Sequence, residues 1–301
     1  MSAILGSYWV HDLDPFLWQF PESFSHWGPG GIRWYGIAYL AGFVSAFFLF
    51  KRYHKQRKSP YDSEQIMNLM TFLILGVLLG GRIGYALLYR WDEFLADPLI
   101  LLRVWEGGMA SHGGFAGVCI AVLLYARHSK QSAMPIGDLI VSAVSPGLFF
   151  GRIANFINGE LWGKVTDCSW GMIFPKAPGV RNVLQNPEFS KDPSLIPTEI
   201  LEQIVRHPSQ LYAATLEGLC TFIFIQWRFW KTDVTQRVPG RLAGEFLIAY
   251  AVARIANEFF REPDASLIMG MSRGQFYSIY LFIGGLILIR IAESTAKRNA
   301  T

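Results

Sequence analysis

The sequence predicts an all-α polytopic membrane protein with seven transmembrane helices, its N-terminus outside, its C-terminus cytoplasmic, and a small irregular extracytoplasmic head. Three observations carry this. Hydrophobic residues make up 51% of the 301 and charged residues only 17%, and the charges are clustered instead of spread over a surface. Seven stretches are long enough for a bilayer core of roughly 30 Å, which takes about 20 apolar residues of helix. The loops between them alternate in basic content, as the positive-inside rule requires.

In chain order, residues 1–33 lack a basic start followed by an apolar run, which argues against a cleavable signal peptide. Trp9, Phe16, Trp18, Phe20, Phe24 and Trp27 mark this segment as one lying at headgroup level on the outer side. Spans one to four, at 34–50, 66–89, 109–126 and 136–157, fall within 34–157. Residues 158–208 hold Pro175, Pro178, Pro187, Pro193 and Pro197 and read as the irregular head. Spans five to seven, at 209–230, 240–260 and 275–291, fill 209–291, and 292–301 form a cytoplasmic tail. Lys51, Arg52, Lys55, Arg57 and Lys58, then Arg127 and Lys130, Arg228, Lys231, Arg237 and Arg241, and finally Lys297 and Arg298 all fall on one side, the cytoplasmic one. A net charge of +4 therefore reflects loops beside apolar spans, and no nucleic-acid partner is expected.

Residues 151–163, GRIANFINGELWG, break this apolar pattern at the outer end of the fourth span. An arginine at the centre of a bilayer costs roughly 2.5 to 3.5 kcal/mol on insertion scales, so Arg152 needs a partner, a watery cavity or an anionic ligand. Arg82, Arg254 and Arg261 also sit in or beside apolar stretches. Four uncompensated arginines would cost ~10 kcal/mol, comparable to the stability of an ordinary domain. An anionic ligand is expected there. In the sixth span Tyr250, Arg254, Glu258 and Arg261 are spaced four, four and three, which places them on one helical face. An intrahelical ion ladder accounts for part of that stripe, but it leaves a positive charge, which suits a phosphate.

His112, within GGMASHGG, stands where the third span begins and reads either as a satisfied interface histidine or as part of the same site. Tyr35 at the outer start of the first span reads as an interfacial anchor or a chemical group. Glycines 76, 80 and 84 and glycines 113 and 117 have the spacing of close helix packing. Cys119 and Cys220 fall inside spans and Cys168 is alone outside, so no disulfide forms within the head, and no basic residue beside Cys168 favours its thiolate. Clustered carboxylates for a divalent metal, a GxSxG elbow, an HExxH pair and a Walker loop are all missing from the sequence, so neither metal nor cofactor is expected.

RWYG at Arg33, WEGGMASHGG ending at Gly114, GRIANFINGELWG at Gly151, RHPSQLY at Arg206, ARIANEFFREPD at Ala253 and MSRGQ at Met271 resemble, in order, the prolipoprotein diacylglyceryl transferases of bacterial inner membranes. The resemblance implies transfer of the diacylglyceryl group of phosphatidylglycerol to the lipobox cysteine thiol of a prolipoprotein signal peptide, forming a thioether and releasing glycerol phosphate on the periplasmic side. It implies that Arg152 and Arg254 are essential, with Arg152 on the phospholipid phosphate. It places Tyr35 and His112 among the catalytic positions, and Asn155, Glu160, Gly163, Tyr250, Glu258 and Arg261 among those that bind substrate. The sequence departs from the family pattern at Arg33, at Ala110 and Ser111, and at Ala213, so no required role carries to them. A transporter for an organic phosphate or other anion is the alternative reading of the same arginines. The odd number of spans and the lack of repeated halves weigh against it.

Overall fold

A computed structural model describes residues 4–5, 8–21, 30–103, 108–191 and 195–300. After two short strands, β1 (Ile4–Leu5) and β2 (Tyr8–Val10), and a hairpin of β3 (Phe16–Gln19) with β4 (Gly31–Arg33), the chain enters long helices α1 (Trp34–Lys55), α2 (Ser63–Tyr89), α3 (Ser111–Ser129) and α4 (Ala133–Ile157). Strands β5 (Met172–Ile173) and β6 (Val205–Arg206) follow, with short helices around them. The next helix, α5, runs Ser209–Ala213, becomes π-helical over Ala214–Cys220 and continues as Thr221–Lys231. Helices α6 (Arg241–Glu258) and α7 (Arg273–Ala300) complete the fold.

Helices thus occupy all seven stretches, and the protein is a mostly helical membrane protein. Four of them, Trp34–Lys55, Ser63–Tyr89, Ala133–Ile157 and Arg273–Asn299, are long and apolar enough to cross a bilayer. Of the rest, α6 carries Arg241, Glu245, Arg254 and Glu258 along its length, and α5 is interrupted by its π-helical stretch. Phe48, Leu88, Leu123 and Ile223 each expose more than half of their surface, an outward apolar face suited to lipid. Where α2 meets α3, a Cβ on Gly84 would sit 2.6 Å from the Gly113 Cα and one on Gly80 would sit 2.7 Å from the Gly117 Cα. These glycines let the two backbones touch, as their spacing suggests.

Two apolar cores form at opposite ends. One joins Phe50, Tyr53, Ile66, Tyr125, Ile136, Ile225 and Leu242, from the ends of six helices. The other packs Val10, Ile173, Phe174, Val180, Ile204 and Val205 into the head. The head holds a four-stranded sheet in the order β1-β2-β5-β6, with β2 parallel to β5 and β5 antiparallel to β6. The N-terminal segment and the segment after α4, assigned separately from the sequence, therefore share one sheet. Aromatic and β-branched residues such as Tyr8-Trp9-Val10 fit a half-buried strand as well as a headgroup layer, so their density alone could not separate the two. Phe24 and Trp27 lie outside the described residues.

His11 fastens this sheet to the helices, its Nε2 being 2.6 Å from the Phe156 carbonyl while its ring stacks on Phe174. Burial pushes its imidazole below the ordinary 6.5. At the other end the Asp138 carboxylate accepts from the Gly240 and Ala243 amides at 2.7 and 2.8 Å, capping α6 from α4.

Candidate active site

Between the two cores the helices carry charge. Arg152, near the end of α4, donates from Nε and Nη2 to one oxygen of Glu217 at 3.0 and 2.7 Å. Arg254 on α6 donates to the other oxygen at 3.2 Å. Glu217 lies in the π-helical stretch of α5 with a wholly buried side chain. A π-turn inserts an extra residue into the helix and re-aims its side chains, a device often found at functional sites.

The chain of charges continues. Arg254 reaches Glu258 at 2.6 Å, Glu258 lies 3.8 Å from Arg261, and Arg261 donates to Asp264 at 2.8 Å. Along this chain three guanidiniums alternate with the two carboxylates of Glu217 and Glu258, and a third carboxylate, Glu160, stands beyond Asn155 on the other side of Arg152. Asp264 stands at the far end, where its side chain is 62% exposed and its field is weakened by water. Tyr250 faces both Arg152 and Arg254.

On the other side of Arg152, Asn155 accepts from its Nη1 at 3.5 Å and donates to Glu160 at 2.9 Å. The Tyr35 hydroxyl donates to the same Glu160 oxygen at 3.0 Å and also contacts the Asn155 amide. Two neutral donors thus hold Glu160 near Arg152, with no direct ion pair between the two among the described residues. Gly163 closes the site from the head. Its amide donates to the His207 carbonyl at 2.9 Å, and its backbone bridges to Arg261. A Cβ there would come within 2.7 Å of the Phe260 carbonyl oxygen, so only glycine permits this approach. Arg206 binds the Gly163 carbonyl at 3.2 Å and pairs with Glu262 at 3.3 Å.

The structure brings Arg152, Asn155, Glu160, Tyr35, Tyr250, Arg254, Glu258, Arg261 and Gly163 into one connected region. His112 begins α3 with an exposed side chain and its ring edge against Tyr277 of α7, centroids 5.7 Å apart. Among the described residues no hydrogen bond or ion pair joins it to the arginines.

Two sequence expectations are corrected. The guanidinium of Arg82, expected beside an anion, donates to the carbonyls of Ile100, Leu101, Arg103 and Gly108. Backbone dipoles thus compensate the buried charge and clamp the loop that leads to α3. Cys168, without a basic neighbour in sequence, has the His207 Nδ1 at 3.8 Å, brought there by the pairing of the head's strands. Burial lowers the His207 imidazole below its ordinary 6.5. Glu217 escaped the sequence reading, and Arg206 entered it only within the RHPSQLY motif, without a role; the signal for Glu217 was one carboxylate inside an apolar span, facing arginines that lacked a partner.

Fold and site together define a helical integral membrane protein that gathers guanidiniums beneath a small head, a class suited to an anionic amphiphile. A family profile described as prolipoprotein diacylglyceryl transferase matches residues 21–291. Phosphatidylglycerol--prolipoprotein diacylglyceryl transferase of Idiomarina loihiensis is 44% identical over 282 residues, covering 90% of this chain and 94% of its own. The protein of the same name from Oleidesulfovibrio alaskensis is 39% identical with 91% and 93% covered, and that from Pasteurella multocida is 39% identical with 93% and 95% covered. The chain belongs to the prolipoprotein diacylglyceryl transferase family.

Proposed function

We propose that this protein transfers the diacylglyceryl group of phosphatidylglycerol to the lipobox cysteine thiol of prolipoproteins, the first step of bacterial lipoprotein maturation, without metal or cofactor. The observation that carries the reading is the meeting of Arg152 and Arg254 on one buried carboxylate, Glu217. Two guanidiniums from separate helices are thereby held side by side with donors to spare, the arrangement that grips a phosphate.

In the reaction the thiol sulfur forms a C–S bond to the glycerol carbon, the C–O bond to phosphate breaks, and glycerol phosphate departs with the bonding electrons. The leaving phosphate gains negative charge, so Arg152 and Arg254 bind it more strongly in the transition state than in the intact diester. Asn155, Glu160, Tyr250, Glu258 and Arg261 orient the two arginines and the headgroup, and Tyr35 positions Glu160. The thiol, of pKa near 8.5, must lose its proton. His112 acting as base achieves this, as does a depression of the thiol pKa by two units beside Arg254, which takes about 2.7 kcal/mol.

All seven helices cross the bacterial inner membrane in this reading, with the N-terminus outside and the C-terminus cytoplasmic, so that the site faces the periplasm. The gathering of basic loops at the end away from the head supports that orientation. Incubation of the purified protein with phosphatidylglycerol and a lipobox peptide tests the proposal by mass spectrometry. The expected product is a peptide heavier by one diacylglyceryl group, formed equally with a chelator present. An unmodified peptide, or activity lost on chelation, would count against it.

A further inference from the structure

At the end of the helices remote from the head lies a cavity of about 520 Å³, between the α1–α2 loop, the start of α4 and the α5–α6 connection. This is within the ~300 to 1,000 Å³ span of small-ligand sites. It is separate from the arginine site: Asp138 in its wall precedes Arg152 by fourteen residues of α4, a rise of about 21 Å.

Tyr61, Leu139 and Phe229 give it apolar walls, and basic side chains stand among them. His54, Arg57 and Lys58 all border it. Among the described residues none of these side chains has a carboxylate partner, unlike Arg228 and Arg241 nearby, which share Glu245. Asp138 shares this wall, its two oxygens taken up by the Gly240 and Ala243 amides at the start of α6. Ser59 and Gln236 add hydroxyl and amide groups to the wall.

Arg57 supplies the second observation. It stands two residues past the end of α1 with φ of 54°, in a turn closed by the Arg57 amide on the His54 carbonyl and the Lys58 amide on the Tyr53 carbonyl. Glycine is the residue that this left-handed position favours, and any side chain there is strained. Strain held at a defined place points to use of the side chain, and here that side chain borders the cavity. A positive-inside loop needs lysines and arginines but no pocket and no arginine in a glycine position, so the orientation rule leaves both features unexplained.

We infer that this cavity binds a phosphate-bearing anion, with Arg57 as the planar fork, Lys58 and His54 as further donors, and the wall amide and hydroxyl completing its shell. The same chemistry comes from a phospholipid headgroup in the leaflet opposite the arginine site, since basic pockets between membrane helices take such headgroups, or from a soluble phosphate.

The full chain in nanodiscs of zwitterionic lipid tests this with two probes, comparing wild type with R57G/K58Q. Native mass spectrometry counts retained phosphatidylglycerol when the discs are doped with it, and titration calorimetry follows inorganic phosphate. Affinity is expected to fall about tenfold for one of the probes, as for loss of a good charge-assisted contact, and the affected probe identifies the source. Lipid transfer to a lipobox peptide should stay at the wild-type rate, and the melting temperature should hold or rise because glycine relieves the left-handed turn. Unchanged affinity for both probes overturns the site. So does a binding loss accompanied by an equal loss of transfer, which would report the arginine site instead.

Discussion

Replacing Glu217 by glutamine tests the centre of the site with almost no change of shape. The wild-type carboxylate receives three guanidinium contacts, two from Arg152 at 2.7 and 3.0 Å and one from Arg254 at 3.2 Å. Hydrogen bonds to charged groups contribute about 1.5 to 3 kcal/mol each, but the amide oxygen of glutamine can still accept some of them, so their sum is an upper bound. Breaking a buried pair by removing one charge costs about 3 to 5 kcal/mol, mostly because the surviving charge is left uncompensated. Here two charges survive and face each other, which places Glu217→Gln near the top of that range. Its melting temperature in detergent should fall clearly, and phosphatidylglycerol should restore part of the loss by supplying the missing anion. Turnover should fall about 100-fold, the effect of roughly 1 Å of misplacement at reacting groups. Wild-type melting and turnover in this variant would refute the idea that one carboxylate holds both arginines in place.

Four further outcomes are expected. Arg152→Lys should abolish lipid transfer, since a point charge cannot span Glu217, Asn155 and a phosphate at once; more than a tenth of the wild-type rate, a gap of about 1.4 kcal/mol, would contradict this. His112→Gln should leave a slow enzyme whose rate rises with pH, whereas a wild-type rate between about pH 6 and 8 removes His112 as the base. Because burial lowers the His11 imidazole below 6.5, the unfolded chain takes up this proton first as pH falls. The stability it contributes is complete above that value and is lost below it, so the head should melt earlier at about pH 5 than at pH 8, and less so in His11→Gln. Gly163→Ala should cost about 1 to 3 kcal/mol by overpacking against Phe260 and His207 and should depress transfer, with an unaltered melting curve and rate as the contrary result.

Much of the site was legible because membranes make charge conspicuous. Arg152 and the Arg254–Glu258–Arg261 face stood out against apolar surroundings, and a spacing of four and three fixes which side chains share a helical face whatever the tertiary fold. Glu217 did not stand out, because pairing across helices depends on rotation about each axis, and the π-helical stretch that sets it leaves no periodic mark. Arg82 misled for the same reason in reverse: backbone carbonyls from a distant loop compensate a cation as well as a ligand does, and no sequence pattern announces them. The head's sheet was missed because strands of two or three residues, paired between segments more than 160 apart, carry too little alternation to be read. Cys168 and His207 meet through a different pairing, that of β5 with β6 and the Val165–Arg206 bridge.

The claim on which the rest depends is that Arg152 and Arg254 grip one phosphate together. Solid-state nuclear magnetic resonance of the full chain in phosphatidylglycerol bilayers, with nitrogen-15 in arginine side chains, measures this through nitrogen–phosphorus dipolar couplings. Couplings at hydrogen-bonding range from two guanidiniums, one lost in Arg152→Lys and the other in Arg254→Lys, are expected. A phosphorus signal coupled to neither residue, or to one alone whichever is replaced, would contradict it.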